Sequence, residues 1–250
     1  MELLRLENVS KNFGGLAAVN KVSLSVQAGE SFGIVGPNGS GKTTLYNLIS
    51  GVYKQDEGKI YLAGKEITNL PPHARARLGI ARTFQIPRPF NSATVLENVA
   101  VGAMFGRAGA GVNDAFKIAE QYLELMDIEH KKNEKAMKLT PLEKRLVEIA
   151  RALAMKPELL LLDEVMAGMN PGDIDRLIAL LKRIKDEENI SIIAMVEHLM
   201  HAITKFAGRL MVMHQGKKLI EGETFEVLNN QEVIDVYLGR KMVEIKHAES

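Results

Sequence analysis

Gly36-Pro37-Asn38-Gly39-Ser40-Gly41-Lys42-Thr43-Thr44 is the stretch around which the rest of the chain is arranged. It fits the pattern G-x-x-x-x-G-K-[ST] at every fixed position. Its three glycines let the backbone curl into a concavity lined with N–H donors, and such a nest attracts anions. In that pattern the Lys42 ammonium reaches the β- and γ-phosphates of a nucleotide, and the Thr43 hydroxyl faces Mg²⁺. The flanks supply the setting the pattern needs. Ser31-Phe32-Gly33-Ile34-Val35 reads as a short buried strand entering the loop. Leu45, Leu48 and Ile49 then recur at helical spacing, with Gly51 placed to end the helix. A helix starting here adds its N-terminal dipole and unpaired N–H groups to the anion site. The competing reading, a glycine turn with an incidental lysine, explains neither flank.

Composition bounds the rest. A chain of 250 residues suffices for one large α/β domain or for a core with a subdomain. A formal net charge of +1 argues against a general polyanion binder, so no nucleic-acid partner is expected. The chain has no cysteine, which excludes disulfides, thiol chemistry and Cys-ligated metal sites and suits the cytoplasm. Met1 leads directly into a strand-like segment, so no signal peptide is expected. No apolar run approaches the ~20 residues of a membrane span. A membrane role would therefore pass through a partner.

Along the chain, Leu3 to Val9 alternates, with Leu4, Leu6 and Asn8 expected on one face. Val22, Leu24 and Val26 alternate again before a turn at Ala28-Gly29-Glu30. Phe13-Gly14-Gly15 lies between these strands, where an aromatic ring either stacks on a purine or fills a turn. Gly58 to Ile67 reads as a hairpin turning at Ala63-Gly64. Ile80 to Phe84 reads as a strand ending at Gln85, and Ile86-Pro87-Arg88-Pro89-Phe90 cannot be regular helix. From Val95 to about Leu153 the pattern is helical, with Ala115, Ile118, Ala119, Tyr122 and Met126 on one face. Leu142, Leu146, Ile149 and Leu153 make a second stripe, and Gly106 to Gly111 and His130 to Lys138 are connections. Ile174, Leu177, Ile178 and Leu181 mark a further helix. Ile190 to Val196 marks a buried strand, and Arg209 to Met213 with Lys217 to Ile220 a last hairpin around Gln215-Gly216.

Leu159-Leu160-Leu161-Leu162-Asp163-Glu164 carries the second chemical signal. A continuous apolar run of strand length is the mark of a central parallel strand covered on both faces. Its C-terminal edge is where open α/β sheets bind ligands. There Asp163 would hold Mg²⁺ and Glu164 would polarise a water against the γ-phosphate. Without the phosphate loop, a solvated acidic pair would be the better reading.

These segments together resemble the nucleotide-binding subunits of ABC transporters. The likeness is carried by Gly36 to Thr43, Gln85 after a strand, Leu159 to Glu164, Ala167-Gly168-Met169-Asn170-Pro171 and Glu197-His198, in that order along nearly the whole chain. Lys11-Asn12-Phe13-Gly14-Gly15, Arg82-Thr83-Phe84-Gln85, Val95-Leu96-Glu97-Asn98-Val99 and Tyr237-Leu238-Gly239 are most similar to the ATPases of branched-chain amino-acid importers. The resemblance implies a single α/β domain over residues 1–250, with a P-loop NTPase (RecA-like) core and an antiparallel β subdomain. It also implies an α-helical subdomain inserted at approximately residues 90–155. It puts Phe13 at the adenine-stacking position and Gln85 at the glutamine that senses Mg²⁺ and the γ-phosphate. His198 takes the histidine that contacts the γ-phosphate, and Ala167 to Asn170 the loop where two cassettes touch. Such cassettes dimerise head to tail, each ATP lying between one phosphate loop and the partner's signature helix.

The signature is where this chain departs from the family. Leu139-Thr140-Pro141-Leu142-Glu143-Lys144 stands where Leu-Ser-Gly-Gly-Gln is usual. Both glycines are lost, to Pro141 and Leu142, and Lys144 stands where glutamine is common. Thr140-x-x-Glu143 is a capping box with proline at the first helical position, so the Thr140 hydroxyl would bond its own helix. The resemblance implies an ATP-hydrolysing motor subunit of an importer at the cytoplasmic face of the membrane. Its partners would be permease subunits, a second ATPase chain and, indirectly, a solute-binding protein. A regulatory nucleotide-binding subunit with little hydrolysis and a soluble non-transport ATPase are the alternatives. No coiled-coil insertion or second cassette favours the latter.

Overall fold

The computed structural model describes residues 1–196 and 200–237. Glu197, His198, Leu238 and Gly239 lie outside the described residues. Alternation lays down the first sheet. β1 (Glu2–Phe13) and β2 (Leu16–Gln27) form a long antiparallel hairpin, after which β3 (Ser31–Val35) leaves for a second sheet. β4 (Glu57–Leu62) and β5 (Lys65–Glu66) complete the first in the order β2-β1-β4-β5. The tight turn at Ala63-Gly64 forms as expected, both residues having positive φ.

Asn8 does not share the buried face with Leu4 and Leu6. The register slips between Leu6 and Val9, Asn8 adopts φ 47°, and Val9 takes the inward position. A bulge adds one residue to one strand and resets the alternation beyond it.

The second sheet runs β10-β9-β3-β8-β7-β6. β6 (Ile80–Arg82), β7 (Leu159–Asp163), β8 (Ser191–Val196) and β9 (Arg209–His214) are parallel to β3, and β10 (Lys217–Glu223) closes one edge antiparallel. The leucine run is explained by its two covered faces. Leu159 and Leu161 pack with the first sheet and helix α1 (Lys42–Ile49), while Leu160 and Leu162 pack under the remaining helices. β6 ends two residues sooner than its pattern predicts. The Phe84 N–H donates to the Glu148 carboxylate at 3.2 Å instead of to a neighbouring strand.

After α2 (Pro72–Arg77), the helices α3 (Val95–Phe105), α4 (Val112–Leu125) and α5 (Pro141–Ala154) all lie between β6 and β7 in the chain and pack on one another. The basic stretch from His130 to Lys138 holds two short 3-10 turns. The expected stripe on α5 holds for Leu146, Ile149 and Leu153 and fails at its first member. Val147, Ile149, Ala150 and Leu153 are buried, whereas Leu142 is 39% exposed. The first turn of α5 is held by its cap rather than by the core. Then come α6 (Pro171–Glu188), α7 (Met200–Phe206) and α8 (Thr224–Leu228).

Helices α3 and α5 touch backbone to backbone. A Cβ added at Gly102 would lie 2.1 Å from the Arg151 carbonyl oxygen, and one at Gly106 would lie 2.5 Å from the Met155 Cβ. Gly102→Ala is therefore expected to lower unfolding free energy by about 1–3 kcal/mol through forced separation of the pair. Equilibrium urea unfolding reads this; an unchanged midpoint would mean that the helices part without cost.

Candidate functional site

Three left-handed or positive-φ glycines shape the phosphate loop: Gly36 (φ 152°), Gly39 (φ 76°) and Gly41 (φ 102°). Two of them are also spatially obligatory. A Cβ at Gly36 would sit 2.2 Å from the Met213 carbonyl oxygen, and one at Gly41 would sit 2.3 Å from that of Ala18. The loop is thus gripped between β9 and β2, and the Gly216 N–H braces it by donating to the Ser40 carbonyl at 3.0 Å. Pro37, Ser40 and Lys42 are buried, while Asn38, Gly39 and Thr43 are exposed and Thr44 is half-buried. The Lys42 ammonium lies inside the loop, donating to the carbonyls of Gly36 at 2.7 Å and Pro37 at 3.1 Å. The buried Ser40 Oγ has no hydrogen-bond partner among the described residues. A cradle that only glycine fits, a central ammonium and an orphaned hydroxyl suit a polyphosphate.

The far end of α1 is fastened by a residue the sequence reading passed over. Arg75 is buried, and its guanidinium donates to the carbonyls of Leu48, Ile49, Leu70 and Thr68 at 2.7 to 2.9 Å. Two of these acceptors close the C-terminal end of α1, where carbonyls lack intrahelical partners. Burial pulls the Arg75 guanidinium down to about 10.

Asp163 and Glu164 emerge at the C-terminal edge of β7, beside the loop's helix. The Asp163 N–H donates to Thr83 Oγ1 at 3.0 Å, and Asp163 Oδ2 accepts from Arg82 Nη2 at 3.0 Å. Tyr46 of α1 stands close by, donating its hydroxyl to the Ile193 carbonyl at 2.8 Å. Burial, and then the charge of Asp163, hold that hydroxyl's pKa well above its usual value. Glu164 adopts φ 49°, a conformation that costs energy for a residue with a side chain and that clusters at functional sites. Its Oε2 accepts from Gln85 Nε2 at 2.9 Å, so two expected site residues 79 positions apart meet. Thr43, Asp163 and Gln85 offer a hydroxyl, a carboxylate and an amide oxygen. That hard-oxygen set, with one carboxylate and room for phosphate, fits Mg²⁺.

Phe13 sits at the tip of the β1–β2 hairpin with 44% of its surface exposed. Tyr53 meets it edge-on, with ring centroids 5.3 Å apart, and Lys11 Nζ lies 5.7 Å from its centroid. Its pairing partner Leu16 opens the strand whose Ala18 carbonyl abuts Gly41. An open aromatic face therefore stands near the rim of the cradle.

Thr140 to Glu143 form the expected capping box. The Thr140 N–H donates to Glu143 Oε2 at 2.8 Å, and the Glu143 N–H donates to Thr140 Oγ1 at 3.3 Å. Lys131 adds an ion pair to Glu143 Oε1 at 2.9 Å, and it is the first cause of that carboxyl's lowered pKa. Pro141 stands at the first helical position. Further along α5, the buried Glu148 carboxylate also accepts from the Arg88 N–H at 3.4 Å and pairs with Arg151 at 3.5 Å. Desolvation raises its pKa. Arg145 donates to the Ala167 carbonyl, joining α5 to the Ala167-Gly168-Met169-Asn170 turn. Asn170 in turn caps α6.

A groove with a cavity of about 430 Å³ opens between the segment around Phe84 to Phe90 and helices α3 and α5. Phe84, Phe90, Phe105 and Met155 give it apolar walls, and Arg82, Arg88 and Arg151 line it as well.

Residues 19–167 match the protein family described as ABC transporter. A probable branched-chain amino acid transport ATP-binding protein, LivG, of Archaeoglobus fulgidus is 38% identical over 260 residues, covering 98% of this chain and 99% of that protein. The high-affinity branched-chain amino acid transport ATP-binding protein LivG of Escherichia coli (strain K12) is 35% identical over 251 residues, covering 95% and 98%. Among solved structures, the ADP conformation of MJ1267, an ATP-binding cassette of an ABC transporter, superposes with a TM-score of 0.84 at 35% identity. It covers 96% of this chain and 99% of that one.

Proposed function

The chain belongs to the ABC transporter family of ATP-binding cassettes, and on that premise we propose that it is the ATP-hydrolysing motor subunit of an importer for branched-chain or related amino acids. The observation that carries the catalytic part is the Gln85–Glu164 hydrogen bond of 2.9 Å at the strand edge that also presents Asp163. The relatives named for branched-chain amino acid transport carry the solute class.

The loop N–H groups and Lys42 bind the phosphates, the ammonium moving from the loop carbonyls to phosphate oxygens. Phe13 stacks on adenine. Thr43, Asp163 and Gln85 would hold Mg²⁺, which when bound neutralises charge on the β- and γ-phosphates. Glu164 accepts a proton from the attacking water, and Gln85 Nε2 keeps its carboxylate turned to the site. His198 contributes a γ-phosphate contact in this reading. Lys42→Ala removes a charge-assisted contact and is expected to abolish measurable binding of a fluorescent ATP analogue. Parental affinity in that variant would remove the loop from the mechanism.

No helix among the described residues is long and apolar enough to cross a membrane. The groove beside Gln85 supplies the membrane contact, receiving a short cytoplasmic segment of a permease subunit. Met104 packs into the helical core, but Ile86, Phe90 and Phe105 stay exposed, which supports docking over self-filling. Arg82 and Arg151 are already paired with Asp163 and Glu148, so Arg88 is the groove cation that favours an acidic residue in that segment. Photocrosslinking from position 90 in the assembled transporter is expected to capture a permease loop; labelling confined to the chain itself would count against docking. The capping box at Thr140 favours a second ATPase chain as partner, and it also keeps the weakly hydrolysing regulatory subunit as the second reading.

A further inference from the structure

Arg82 belongs to neither the phosphate loop nor the Gln85–Glu164 pair, yet it touches both Asp163 and the helix that follows the loop. It ends β6, and its side chain and that of Asp163 are only 8% and 2% exposed. One guanidinium nitrogen donates to Asp163 Oδ2 at 3.0 Å. The other donates to Asn47 Oδ1 at 2.5 Å and Ser50 Oγ at 3.1 Å, both on or just after the helix that follows the phosphate loop. The plane lies 5.0 Å from the Phe84 ring centroid, and Arg82 lines the groove with Phe84, Phe90 and Phe105. Its side chain thus reaches both the groove and the Asp163 carboxylate.

We propose that Arg82 is the positioning residue for the Asp163 carboxylate and that, through it, the occupant of the groove sets how well the site takes Mg²⁺. A buried carboxylate gains its orientation from the partner that holds it, and a planar fork fixes that orientation where a point charge does not. Arg82 holds side-chain acceptors on Asp163, Asn47 and Ser50 at once, so a change at its groove side is felt at the carboxylate. This inference rests on Asp163 as the Mg²⁺ carboxylate and on the groove as a docking surface.

The test reads metal dependence rather than turnover. Binding of a fluorescent ATP analogue to the isolated chain is titrated with Mg²⁺ and compared with binding in EDTA. Arg82→Lys keeps the charge without the fork, and Arg82→Met removes both. Each is expected to raise the Mg²⁺ midpoint by about tenfold while affinity in EDTA stays parental. A parental or lowered midpoint in Arg82→Lys overturns the proposal, and that variant decides if Arg82→Met does not fold.

The absence of cysteine allows a single label to stand in for a groove occupant. Phe105→Cys, alkylated with a maleimide bearing an apolar ring, is expected to move the Mg²⁺ midpoint by about fivefold with Arg82 present and not with Arg82→Lys. Equal shifts in both backgrounds, or none in either, overturn the coupling. The two readings fail separately. Failed crosslinking at position 90 removes the permease from the groove and leaves the Mg²⁺ titration intact, whereas a parental Mg²⁺ midpoint removes Arg82 and leaves docking intact.

Discussion

Glu164→Gln is expected to bind ATP as the parent does and to lose turnover by about 10²–10⁴-fold. The amide keeps the size of the side chain and can still meet Gln85, so the phosphate cradle from Gly36 to Thr43 is undisturbed. What disappears is the carboxylate's capacity to take a proton from water. The left-handed backbone at Glu164 strengthens the expectation, because a strained residue at a strand end is retained for its side chain's placement. Fluorescent-nucleotide titration together with phosphate release measures both halves. Turnover at the parent rate in Glu164→Gln would assign the base elsewhere.

The chain alone is expected to hydrolyse ATP about a hundredfold more slowly than the assembled transporter. Each nucleotide in this family lies between one phosphate loop and the partner's signature. In a homodimer both signatures would be Thr140-Pro141-Leu142-Glu143. There the Thr140 hydroxyl is spent on its own cap, Pro141 has no N–H, Leu142 protrudes, and Glu143 is paired to Lys131. Losing donors aimed at transition-state charge costs about 3 kcal/mol. A different ATPase chain with a glycine signature would restore them opposite this chain's Lys42, Asp163 and Glu164. Phosphate release by the purified chain is compared with that of the complete complex under saturating ATP. Equal rates would rule out the heterodimeric reading, and Leu142→Gly is expected to help only where the partner-facing geometry of the segment survives.

Much of this was readable before any coordinates. A phosphate loop needs particular residues at fixed spacing, so Gly36 to Thr43 announced themselves, and the leucine run ending in Asp163-Glu164 did so for the same reason. The meeting of Gln85 with Glu164 followed from the family's order of segments rather than from any local pattern. Arg82 and Glu148 were not readable. Their partners Asp163 and Phe84 lie 81 and 64 positions away, and a buried polar contact between distant elements leaves no periodic trace. Asn8 was misplaced because a bulge changes the count of an alternation without changing its residue types. Leu142 kept the helical period yet faces solvent, because the first turn of α5 extends past the residues that cover Val147 and Ile149.

The ties from Glu148 and Arg151 to the segment around Phe84 and Arg88 make α5 a lever with two working ends. In the proposed assembly its N-terminus faces another chain's nucleotide, and its flank is bolted to the groove wall. A helix of 14 residues is about 21 Å long. Tilting such a bar by roughly 10° about one end sweeps the other through about 3–4 Å, about two-thirds of a helical turn. A stroke delivered to a permease would then be a matter of leverage, read from the length of one helix and the point at which it is pinned.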